Sequence, residues 1–253
     1  MEYFVRENSI VRQIWGKSDT ILFIFAGSAA EFALNKAVDW LYFTGRLPAD
    51  PMGRLFSTVS YARKIIFSKN ERALHTIDGI DAIHKQVELN RNDKIPAWAY
   101  RDVLYMLIHY SIAAYELLNR KLTSSEKEEV FDVFYRFGKR MHLKNLPENY
   151  QDWIEQRKSD MMQDLERSEL TDDLFRQYKK HLGPVRYYVL IQSQKLIVPA
   201  HVRKLLGLSR FSTVAPLVPI YKWSRKFGLD RFIKKILLPK QYEKEIGEME
   251  MVK

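Results

Sequence analysis

A chain of 253 residues with 46% hydrophobic and 28% charged side chains can bury a sizeable core, in one large domain or two small ones. It has no cysteine, which excludes disulfide scaffolds, thiolate zinc and iron–sulfur sites, haem attached through Cys-x-x-Cys-His, and a cysteine nucleophile. With 41 Lys and Arg against 31 Asp and Glu the formal charge is +10, which points to an anionic partner without naming it.

Residues 1–16 carry Arg6, Glu7 and Arg12 and no apolar run, so no export signal is expected and the chain reads as cytoplasmic. The most apolar stretch begins at Ile21 and meets Glu31 after ten residues. A membrane span needs about 20 apolar residues, so the pattern predicts a buried helix over 19–43. Asp50-Pro51-Met52-Gly53 leads into a helix over 52–67 that carries Arg54 and Thr58 one turn apart. That spacing places both on one face, as a cationic clamp with a hydroxyl beside it, or as a surface arginine and a threonine bonded back to a carbonyl. Over 70–90, Ala73, Ile77, Ile80, His84 and Val87 step by four and three and share a face. His84 therefore points with the apolar stripe, while His75 falls on a more polar side. A core-facing histidine is a hydrogen-bonded core residue or a metal or haem ligand.

The helix predicted over 97–120 is apolar nearly all round between Val103 and Leu118. Asp102, His109 and Glu116 are seven apart and line one side of it. Such a line is an interhelical hydrogen-bond network or the lining of a polar or haem-containing pocket. Thr123-Ser124-Ser125-Glu126 is a capping box that starts a helix over 124–142. Asn149 and Thr171 are expected as N-caps of helices over 150–166 and 172–181. Pro184 suits the first turn of a helix over 184–194. Shorter helices are expected near 199–206, 213–227 and 229–237. No alternating period-two run appears, so the chain reads as all-α. The expected organisation is a single multi-helix domain over 1–210, with basic amphipathic helices over 211–253 packed on or beside it.

The positive charge is concentrated. Between Pro184 and Lys240 there are twelve Lys or Arg and one acidic residue, Asp230, interleaved with apolar and aromatic side chains. Such a segment is a solvated helical surface, a contact for an anionic membrane, or a contact for phosphate backbones. No nucleic-acid signature supports the last. Dinucleotide, phosphate-loop, nucleophile-elbow and His-Glu-x-x-His motifs are absent. A di-iron carboxylate bundle would need two Glu-x-x-His motifs. The chain offers one approximate half, Asp81-Ala82-Ile83-His84, with Glu31 and Glu116 as further carboxylates.

Five segments carry a family resemblance: Asp50-Pro51-Met52-Gly53-Arg54 through Thr58, Ala82-Ile83-His84-Lys85-Gln86-Val87, Leu107-Ile108-His109 with Ala114-Tyr115-Glu116, Leu146 to Tyr150, and Val198 to Arg203. Their order and spacing resemble the MpaB and rubber-oxygenase (latex-clearing protein) catalytic domain over roughly residues 19 to 210. The resemblance implies an all-α fold that holds haem b non-covalently. It implies chemistry with dioxygen or a peroxide on an apolar substrate of the isoprenoid or lipid kind. It also implies His84 as the proximal iron ligand, its second ring nitrogen donating to a carbonyl or carboxylate. Arg54 and Thr58 would lie on the distal side or at the haem edge, with His109 in or beside the pocket. Arg54 would pair with a propionate or polarise oxygen, and Thr58 would bond a distal ligand or water. Two departures stand out. Ser57 occupies the place of a family lysine able to act as a second axial ligand, and Glu31-Phe32-Ala33-Leu34-Asn35 replaces a Gln…His-Pro pattern. The alternatives are a haem sensor or carrier without turnover, and a peripheral membrane protein without haem.

Overall fold

Twelve helices order the residues that the computed structural model describes, 2–224. In chain order they are α1 (Ile10–Trp15), α2 (Ser18–Phe32), α3 (Val38–Phe43), α4 (Arg46–Ala49), α5 (Pro51–Ile66) and α6 (Asn70–Arg91). There follow α7 (Ala97–Leu118), α8 (Ser124–Arg140), α9 (Tyr150–Asp164), α10 (Glu169–Ile197), α11 (Ala200–Leu205) and α12 (Leu217–Ser224). No sheet forms among the described residues. The only extended pairings there are isolated bridges, Tyr3 with Lys69 and Asn35 with Leu165. The all-α reading is correct. The helix expected at 229–237 lies outside the described residues.

Burial explains the arrangement. α2 and α7, both strongly apolar, pack on each other at the centre, flanked by α1, α8, α9 and α10. Gly27 makes their close approach possible: a Cβ there would run into the Tyr110 ring. Gly27→Ala is therefore expected to cost about 1–3 kcal/mol through overpacking, read as a lower urea midpoint with an unchanged slope. A normal midpoint would mean that the two helices separate freely. No helix among the described residues is long and apolar enough to cross a membrane.

Three boundaries differ from expectation. The helix predicted over 19–43 is broken between Phe32 and Val38 and ends at Phe43 as expected. At the break Asn35 turns its side-chain oxygen to the Ala37 N–H at 2.9 Å and its amide to Asp102 at 2.7 Å. Backbone bonds from Lys36 N–H to the Asp164 carbonyl (3.0 Å) and from Glu166 N–H to the Leu34 carbonyl (2.8 Å) tie the break to the end of α9. An asparagine side chain that competes with helical bonding has won over the apolar periodicity. Second, α10 starts at Ser168, with Thr171 as its capping-box partner rather than its cap. The break expected at Gly183-Pro184 is present within it, where Gly183 takes φ +73° and Pro184 follows. Third, α1 was not expected. It is under two turns long, and Ile10, Val11, Ile14 and Trp15 bury it. The caps at Asn149 and Thr123 form as predicted, the latter as a full capping box.

Candidate functional site

α5 begins where the Asp50 carboxylate accepts the Gly53 N–H at 2.9 Å, with Pro51 in the first turn. The carboxylate folds back over Gly53, so that a Cβ there would require it to shift. The side chain of Arg54 donates from Nη1 to Thr58 Oγ1 at 3.0 Å, and that hydroxyl donates to the Arg54 carbonyl at 3.2 Å. The back-bonding read for Thr58 from the sequence is present. Thr58 is bonded back along its helix, and by that bond it orients the guanidinium. Its single proton is committed, so it faces any further group with a lone pair.

α6 packs against α5 and brings His84 into the electrostatic reach of Arg54. The apolar stripe on α6 is real but fades along the helix: Ala73 and Ile77 are fully buried, while His84 is half-buried. Burial first, then the charge of Arg54, lowers the His84 pKa to about 4. The imidazole is therefore neutral at pH 7, the form that binds a metal. Its Nδ1 is buried without a hydrogen-bond partner. The ring meets Tyr100 edge-on, with centroids 5.1 Å apart. The Tyr100 hydroxyl donates to Glu88 Oε1 at 3.2 Å, which also accepts the Ile95 N–H at 3.0 Å. Neither Tyr100 nor Glu88 was singled out from the sequence. Glu88 lies one turn beyond His84, and that spacing was the available signal.

His109 has a different setting. The line of Asp102, His109 and Glu116 does not act as a unit. Glu116 sits at the end of α7, bonded to Lys121, Lys127 and the Leu122 N–H. Next to His109, Tyr110 donates to Glu31 Oε2 at 2.7 Å, and Arg157 of α9 donates to the same oxygen at 2.7 Å. The Glu31–Arg157 pair is almost fully buried. His109 Nε2 is buried without a partner, and burial, then the Arg157 charge, holds its pKa well below the usual histidine value. Arg157 was missed, although it shares a helical face with buried Trp153 and Asp164, where a charge needs a partner.

With Glu31 paired to Arg157 and Glu116 to lysines, neither carboxylate is available to the di-iron arrangement. Among the described residues no three His, Asp or Glu side chains gather as a metal site. Haem asks for less, because the porphyrin supplies four iron ligands and the protein one or two. A neutral histidine with a buried, unpartnered nitrogen and a guanidinium alongside, which suits an anionic propionate, fits that demand. Ser57 is exposed on α5 and offers no amine.

The family model described as ER-bound oxygenase mpaB/B′/rubber oxygenase, catalytic domain, matches residues 15–227. Among curated proteins none matches the chain.

Proposed function

Because the chain belongs to the family of mpaB/B′ and rubber-oxygenase catalytic domains, we propose that it is a haem b-dependent oxygenase that acts on an apolar substrate of the isoprenoid or lipid kind. The oxidant is dioxygen or a peroxide. The observation that carries this reading is His84, neutral at pH 7, with a buried ring nitrogen that no protein group satisfies.

Haem, when bound, supplies the redox centre that this chain's side chains lack. The protein's own work is to hold and shape. His84 would hold the haem iron, kept unprotonated by burial and by Arg54. Tyr100, fixed through Glu88, presses edge-on against the imidazole and limits its rotation. Arg54, oriented by Thr58, offers positive charge to a propionate or to oxygen in the pocket. The remaining lone pair of Thr58 would accept from a water or a ligand in the pocket. His109, a buried imidazole held neutral by burial, would lie in or beside the pocket, with the apolar residues of α2 and α7 as its wall. The division into 1–210 and 211–253 belongs to the same reading. So does a peripheral location at the cytoplasmic side of a membrane, with residues 184–240 toward anionic lipid.

The test is the absorption spectrum of protein expressed with haem precursor, beside His84→Ala. A Soret band is expected in the wild type and is lost or shifted in the variant, while the far-ultraviolet circular dichroism of both stays helical. A colourless wild type after reconstitution with haem overturns the reading. A haem protein that yields no product from any apolar substrate with dioxygen or peroxide is a sensor or carrier instead. Acid should release the cofactor as the pH falls toward 4, where His84 gains a proton.

A further inference from the structure

α12 is built inside out. Its exposed residues are Leu217, Pro219, Ile220 and Trp223, all apolar. Its polar residues, Tyr221, Lys222 and Ser224, are half-buried or buried. On the inner side the Tyr221 hydroxyl donates to Asp19 Oδ2 at 3.0 Å and fastens the helix to the start of α2. The segment before it is fastened as firmly to α10. Ser212 donates to the Gln192 carbonyl at 2.9 Å, the Thr213 N–H donates to Gln192 Oε1 at 2.9 Å, and the Thr213 hydroxyl bonds to that of Tyr188 at 2.6 Å. The apolar face is thus held outward by specific bonds. Phe211, at 87% exposure, stands beside these anchors, and Leu217 and Ile220 are 55% and 61% exposed. A surface helix normally turns its apolar face inward.

The surrounding charge names the occupant. From Pro184 to Ser224 there is no acidic residue and there are six basic ones, of which Lys204 and Arg210 are exposed. The sequence that follows, 225–240, adds six more basic residues against one acidic. We infer that the outward face of α12, with Phe211, is a docking surface for an anionic lipid bilayer. Leu217, Ile220 and Phe211 enter the boundary between headgroups and acyl chains, while Lys204 and Arg210 meet lipid phosphates. This develops the membrane side of the proposed function and rests on none of its haem chemistry.

The experiment is co-sedimentation of the full chain with vesicles of phosphatidylcholine alone and of phosphatidylcholine mixed with phosphatidylserine. The wild type is expected to bind the mixed vesicles and to lose binding as salt rises. Leu217→Asp with Ile220→Asp should reduce partitioning about tenfold or more. Lys204→Gln with Arg210→Gln should cost about fivefold for each charge removed. All four positions are exposed, so helical circular dichroism should be unchanged. Three results overturn the inference: no binding to either vesicle, binding indifferent to phosphatidylserine, or variants that bind like the wild type. If the wild type instead self-associates without vesicles and the aspartates abolish that, the face belongs to a second copy. Because the readout is lipid binding, a colourless protein that still binds vesicles sinks the haem reading and leaves this one intact.

Discussion

Arg157→Met is expected to destabilise the protein by about 3–5 kcal/mol, the cost of stripping one partner from a buried ion pair. The Glu31 carboxylate is only 2% exposed, and the same oxygen, Oε2, takes hydrogen bonds from Arg157 and Tyr110. Without the guanidinium a negative charge stays in the core beside the Tyr110 phenol that donates to it. It will be protonated there or draw water in. Methionine keeps much of the volume and the apolar stem, so packing loss is a smaller part of the effect. The double variant Glu31→Gln with Arg157→Met removes both charges and leaves Tyr110 an acceptor. It should recover most of the loss, giving a coupling of a few kcal/mol in a double-mutant cycle. Urea denaturation of all four proteins decides it. Additive single losses would show that the pair is a bystander. The same variants probe His109, whose depressed pKa owes its second cause to Arg157.

This pair also shows how far the sequence could be read. Periodicity found α5 to α9 within a few residues, because each carries a stripe or cap that local chemistry imposes. His84 and the Arg54–Thr58 pair were legible for the same reason. Their neighbours in the site lie one helical turn away, so spacing alone puts them on a face. What spacing cannot supply is the partner across a helix interface. Arg157 stands 126 residues from Glu31, and only the packing of α9 on α7 and α2 brings them together. Asn35 was read as the interior of a long helix because five-residue breaks leave little mark on an apolar pattern. Its real role, as a bridge to Asp102 and the end of α9, depends on contacts 67 residues and more along the chain. The outward apolar face of α12 was hidden for a related reason. An amphipathic pattern does not say which side faces the protein, and the Tyr221–Asp19 bond settles it.

Asp102→Asn is expected to stabilise the protein above neutral pH and to leave it unchanged in acid. Burial first, then the charge of Asp164, with smaller contributions from Asp160 and Glu31, pushes the Asp102 carboxyl from 3.8 up to about 7, against the lowering by the Asn35 amide. Asp164 itself is raised by burial and has an unpartnered Oδ2. Between roughly pH 4 and 7 the folded state therefore holds a proton that the unfolded chain has given up, and stability falls as pH rises. At about 1.4 kcal/mol for each unit of difference, the loss reaches a few kcal/mol by pH 7 and then levels off. Asparagine reproduces the neutral carboxyl. It accepts from Asn35 and can donate toward Asp164, with no charge to create. The stability difference between variant and wild type should be near zero at pH 4, open through pH 5 and 6, and be flat above pH 8. Parallel stability curves across that range would show that Asp102 ionises freely in the folded protein. A gap that opens as predicted makes the Asn35–Asp102 joint pH-sensitive. That joint fixes the break between α2 and α3 against α9, so its loosening above pH 7 should appear as faster amide exchange at Lys36 and Glu166, whose N–H groups form the backbone bonds there.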